Sequence, residues 1–230
     1  MKSRWRSVSV LAVAVIAAVV LGGCASASSV FQASGEAVST SSGHPVVVAI
    51  GDSIMKGHGL AASLAWPELI GKTNNWKLTN LACDGAGFAT TGASYDCADT
   101  FAALVEQAAN LDPDIVLISG SSNDLGVADD KLSSATVAAM KELRTENPHA
   151  KIVGISTVWG DTLTPAQIDD INDQVRGAVD AVGGIYLDIG QPLAGHRDWL
   201  QSDDVHPTAK GQRALAKAIT GALRSAKIIG

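Results

Sequence analysis

The sequence is short of positive charge. Its 17 Lys and Arg are outnumbered by 23 Asp and Glu, giving a net charge of −6, and no basic stripe is evident. That balance argues against nucleic acid as a partner and against electrostatic adhesion to anionic lipid. Long hydrophobic runs are also scarce. The conspicuous one, residues 8–21, falls short of the roughly 20 apolar residues that span a bilayer comfortably. Cysteine is limited to Cys24, Cys83 and Cys97, and the last two have no histidine nearby, a poor basis for a metal site. No internal repeat is evident.

The short apolar run makes sense as an export signal. Lys2, Arg4 and Arg6 precede it, and Leu21-Gly22-Gly23-Cys24 closes it with small residues before a cysteine. This order resembles a bacterial lipobox. The resemblance implies that residues 1–23 are a lipoprotein signal peptide and that Cys24 is lipidated and becomes the new N-terminus. An ordinary signal peptide cut nearby is the alternative. Removing its three basic and no acidic residues takes the net charge from −6 to −9. Residues 24–43 are dominated by Ala, Ser, Thr and Gly, and such a segment reads as a flexible tether. Residues 44–230 are long enough for one domain with a substantial core. The expected location is extracytoplasmic, with the lipid, not surface charge, holding a monomer to the bacterial membrane. In that oxidising compartment Cys83 and Cys97 are expected to pair, closing a loop worth roughly 3 kcal/mol in the chain-entropy model. Free thiols are the alternative.

Beyond the tether the chain alternates. Apolar runs at 46–50, 76–82, 115–119, 151–156 and 185–189 read as strands. Helical patterns fall between and after them at 67–72, 100–110, 131–147, 165–182 and 207–227, with Pro165 and Pro207 as opening residues. Alternation with short connections predicts a parallel sheet with helices on both faces, a three-layer α/β/α sandwich. Strand order does not follow from the pattern.

In such sheets the loops beyond the carboxyl ends of the strands meet at one edge. The first carries Gly51-Asp52-Ser53, a strand-ending hydroxyl whose bland reading is a helix cap. The second carries Gly85 and Gly87, where glycine lets a backbone N–H approach a ligand closely. The third offers the Asn123 amide. Near the C-terminus, Pro207 biases His206 away from helical geometry, and Asp203, three residues earlier, can fold back onto its ring.

These residues, in this order and approximate spacing, resemble the SGNH (GDSL-type) hydrolases, and so does the run Asp112-Pro113-Asp114-Ile115-Val116 into the third strand. The resemblance covers nearly all of 46–225. It implies a flavodoxin-like five-stranded sheet of order 2-1-3-4-5. It further implies Ser53 as nucleophile, His206 as general base and acid, Asp203 as its orienter, and an oxyanion hole from the N–H groups of Ser53 and Gly85 with the Asn123 side chain. No metal or organic cofactor is implied. Ser121 departs from the family, which usually has glycine there; a tolerant turn beside Gly120 is the expectation. Asp204 is the rival for the orienting role. His44, His149 and His196 read as solvated, His58 as a border of the pocket or as exposed surface, Gly87 as a turn residue. Trp159 and Trp199 read as walls of the site or as core.

The expected activity is a serine esterase acting on O-acyl esters. Without an obvious apolar lid, a short acyl group on a carbohydrate is the leading substrate. A lysophospholipid or other lipid ester comes second and acyl transfer to a sugar third. A catalytically silent glycan-binding domain is the non-enzymatic alternative.

Overall fold

The computed structural model describes residues 43–93 and 97–230. The expected signal peptide, Cys24 and nearly all of the expected tether lie outside the described residues.

Val46–Ile50 forms β1, whose alternate side chains supply two separate cores. Val48 and Ile50 enter one, Val47 and Ala49 the other, and all four are fully buried. A strand covered on both faces needs an unbroken apolar run, which is how this one was legible. With β2 (Lys77–Asn80), β3 (Ile115–Ser119), β4 (Lys151–Ile155) and β5 (Ile185–Leu187) it forms a parallel sheet of order β2-β1-β3-β4-β5. That is the expected order.

The helices divide between the two faces. On the Val48 side lie α3 (Phe101–Ala109), α4 (Asp129–Glu146) and α5 (Ala166–Ala181), burying Phe101, Leu104, Met140, Ile168 and Val175. On the Val47 side lie α1 (Ser53–Lys56), α2 (Trp66–Thr73) and α6 (Ala209–Ser225), burying Ile54, Met55, Trp66, Ile70, Leu215 and Ile219. Strand order reverses at β1, which has β2 on one side and β3 on the other. Loops diverge there, so a crevice opens beyond the carboxyl ends of these strands.

Most element boundaries shift by one or two residues from expectation, and three of the shifts have a visible cause. The last helix begins at Ala209, not at 207, because Thr208 caps it while Pro207 is held in an antiparallel bridge to Leu200. Pro165 precedes α5 as its cap instead of lying in its first turn. The last strand ends at Leu187, where the Asp188 carboxylate turns the chain by accepting the Gly190 N–H at 2.9 Å.

The reading of charge also needs correction. Lys210, Arg213, Lys217 and Arg224 are all exposed on α6. At 3.6 residues per turn they fall within about 60° of arc, opposite the buried Leu215 and Ile219. A basic stripe exists that whole-chain composition conceals.

Candidate active site

Gly51 is needed where β1 ends, since a side chain there would come within 2.6 Å of the Met55 sulfur. Asp52 follows in extended conformation and caps α1, its Oδ1 accepting the Ile54 N–H at 2.9 Å. Ser53 is therefore the first helical residue and not the cap, and its side chain is left available. The turn is pinned from the far end of the chain. Gln212 of α6 is fully buried; it accepts the Trp66 N–H and donates to the Ile54 carbonyl, each at 2.9 Å.

Ser53 Oγ lies 2.9 Å from His206 Nε2, and His206 Nδ1 lies 2.7 Å from Asp203 Oδ2. Asp203 Oδ1 accepts the Val205 and His206 N–H groups, each at 3.0 Å, so the loop grips its own carboxylate. The hydrogen bond from the His206 ring, then those backbone donors, hold the Asp203 carboxyl well below the usual carboxylate range. Asp204 turns away and pairs with Arg197. The loop is tied down by Gln201, which donates to the carbonyls of His58 at 2.7 Å and Pro207 at 3.1 Å.

Ser53, His206, Gly85 and Asn123 line one pocket of about 370 Å³, together with His58 and Ile54. Gly85 has φ +78°, and a side chain on it would press on the backbone of Ala93. Asn123 sits in a short 3-10 turn, Ser122–Asp124, and donates from Nδ2 to the Ala86 carbonyl at 2.9 Å. The adjacent Asp124 is fully buried and accepts the N–H groups of Phe88 at 2.8 Å and Ala89 at 3.1 Å. A side chain at Gly87 would collide with that carboxylate, so Gly87 serves packing between loops.

Cys83 and Cys97 form a disulfide with Cα atoms 5.8 Å apart. His44, His149 and His196 are exposed. Trp199 stacks on His196 with centroids 3.6 Å apart, away from the pocket. Trp159 lines a smaller adjoining hollow of about 60 Å³, which shares Ile54, Ser122 and Val205 with the main pocket. A larger hollow of about 680 Å³ between α2 and α6 is lined by Leu69, Lys72, Arg213 and Lys217 among others and holds neither nucleophile nor base. Size alone does not locate the chemistry.

One partnership escaped the sequence. His58 packs against His206 with ring centroids 4.2 Å apart and planes tilted by 31°, and its Nδ1 lies 2.7 Å from Asp84 Oδ2. Two Asp–His pairs thus stand side by side. Asp84 precedes Gly85, so a carboxylate in the second loop was the available signal. Chemically, the site offers a hydroxyl in contact with an imidazole, a carboxylate orienting that ring, and donors across the pocket. That is the equipment of nucleophilic acyl transfer.

Solved structures share the fold. A psychrotrophic esterase from Pseudoalteromonas sp. superposes with a TM-score of 0.62 at 19% identity, over 80% of this chain and 100% of its own. A family two carbohydrate esterase from Cellvibrio japonicus gives 0.61 at 15% identity, over 80% of this chain and 62% of its own. A salicylyl-acyltransferase from a tetracycline biosynthetic pathway gives 0.66 at 19%, over 82% of this chain and 56% of its own. No curated protein matches. A family profile does match, over residues 49–214, and by it the chain belongs to the GDSL-like Lipase/Acylhydrolase family.

Proposed function

We propose that this chain is an extracytoplasmic, lipid-anchored serine esterase that removes short acyl groups, such as acetyl, from carbohydrate esters. The observation that carries the reading is the hydrogen-bonded series Ser53–His206–Asp203 beside a pocket lined by Gly85 and Asn123. Ser53 Oγ bonds to the ester carbonyl carbon as its proton passes to His206 Nε2, and the carbonyl π pair moves onto oxygen. The N–H groups of Ser53 and Gly85 and the Asn123 amide donate to that oxyanion. The bond to the alcohol oxygen then breaks, and His206 returns the proton to it. Water, deprotonated by the same ring, repeats the sequence on the acyl-enzyme and frees the acid. Asp203 fixes the ring tautomer and stabilises the imidazolium.

The substrate reading is supported by the size of the adjoining hollow and by hydrogen-bonding side chains around the main pocket. The hollow of about 60 Å³ under Trp159 suits a short acyl group better than a fatty chain. His58, Ser122 and Asn123 border the main pocket with hydrogen-bonding side chains, which suits a polyhydroxy alcohol. A carbohydrate esterase is among the proteins of similar fold. Transfer to a sugar hydroxyl instead of water is the second reading, supported by an acyltransferase of similar fold.

Ser53→Ala should abolish hydrolysis of p-nitrophenyl acetate and labelling by a fluorophosphonate while leaving the circular dichroism spectrum intact. Hydrolysis that survives the substitution would overturn the serine mechanism. Preference for long chains across a graded ester series would overturn the substrate.

A further inference from the structure

Ser121, which stands where the family usually has glycine, is fully buried, and its hydroxyl has three polar neighbours. Asp52 Oδ2 and Ala86 O each lie 2.8 Å away, and the Asn123 N–H donates to Oγ at 3.1 Å. The hydroxyl has a single hydrogen, and two of these neighbours are oxygens. A carbonyl oxygen brings no hydrogen of its own. With Asp52 ionised, one of the two close oxygen–oxygen contacts therefore has no proton between its partners, and a buried contact of that kind is costly. We propose that Asp52 is a neutral carboxylic acid in the working enzyme, donating from Oδ2 to Ser121 Oγ, which in turn donates to the Ala86 carbonyl.

Every contact then has a donor. Asp52 Oδ1 remains to accept the Ile54 N–H at 2.9 Å. The surroundings agree. The void beside Asp52, about 10 Å³, is lined by Ile54, Met55, Trp66, Ile155, Val158 and the polar Ser119 among others, with no cation among its lining residues. Burial raises the Asp52 carboxyl above its ordinary range, while the donors around it, and the charge of His206, act in the opposite direction.

The relay links the three loops that converge on the pocket. Ala86 O accepts both the Ser121 hydroxyl and the Asn123 amide, so the acid holds the Asn123 plane through two intermediaries. Neutrality also removes a negative charge one residue from the Ser53 N–H, where an oxyanion would form. Asp52 and Ser121 act as positioning residues and touch no substrate. Their effect on rate rests on the serine-esterase reading above; the location of the proton does not.

The test compares infrared spectra of the full-length wild type and Asp52→Asn at pH 7. The carbonyl stretch of a protonated carboxyl, shifted by D2O, is expected in the wild type and absent from the variant. Carboxylate bands in its place would overturn the proposal, whatever the activity. In kinetics, Asp52→Asn keeps an uncharged donor and acceptor and should hold kcat within about threefold, whereas Ser121→Ala should lower kcat about tenfold with KM unchanged. An Asp52→Asn loss as large as that of Ser121→Ala would overturn the positioning role. If Ser121→Ala fails to fold, the spectrum and Asp52→Asn still decide. A failed serine mechanism would void the kinetics and leave the spectrum standing.

Discussion

Of the two hydrogens on the Asn123 amide, one is committed to the Ala86 carbonyl. That bond sets the plane of the group before any ester arrives, and preorganised donors of this kind account for much of acyl-transfer catalysis. Asn123→Ala should lower kcat by roughly 10²–10³, about 2.7–4 kcal/mol, with little change in KM. Steady-state kinetics on a short-chain ester provides the check, and an effect confined to KM would make Asn123 a binding residue. Ser53, Gly85, Asn123, Asp203 and His206 were legible because each sits in a short local pattern. The His58–Asp84 contact joins two loops 26 residues apart, and the carboxylate before Gly85 gives no sign of which partner it takes. Ser121 was visible only as a missing glycine. Its hydroxyl's partners come from two other loops, so the residue's use could be read only in three dimensions.

The loop from Cys83 to Cys97 shows what an element must do for the residue it carries. Gly85 has no side chain to anchor it. Its surroundings are fixed by the disulfide, by the Ala93 N–H donating to Asp84 O at 2.9 Å and by the Gly92 N–H donating to Asp99 O at 2.8 Å. Reduction, or the Cys83→Ser/Cys97→Ser pair, removes a cross-link worth roughly 3 kcal/mol in the chain-entropy model. The expected result is a fall in kcat larger than the lost stability explains, measured where the protein stays folded. Free alkylation of both thiols in the native protein would assign the restraint to the two backbone hydrogen bonds. β1 and β3 were easy to read because both faces are covered. The limits of β5 and α6 were not, because Asp188 and Thr208 set them through side-chain hydrogen bonds that hydrophobic periodicity does not register.

For the whole molecule, net charge proved a poor guide to surface, since the acidic total coexists with four aligned cations on α6. Fold class and strand order were legible from alternation and family resemblance, because a parallel sheet demands long apolar crossovers that leave their mark in sequence. Membrane attachment is a separate matter. Cys24→Ser should release the protein from membranes or leave its signal uncleaved, judged by fractionation and intact mass; a variant processed and retained like the wild type would refute lipidation. The pinning of the Ser53 turn by Gln212 sets a schedule as well as a geometry. The base arrives 153 residues after the hydroxyl it serves, and the residue that holds the turn arrives later still. A chain still emerging from the ribosome, or one cut short before residue 203, carries Ser53 without the Asp203–His206 pair beside it. Such a copy is expected to leave p-nitrophenyl acetate unhydrolysed.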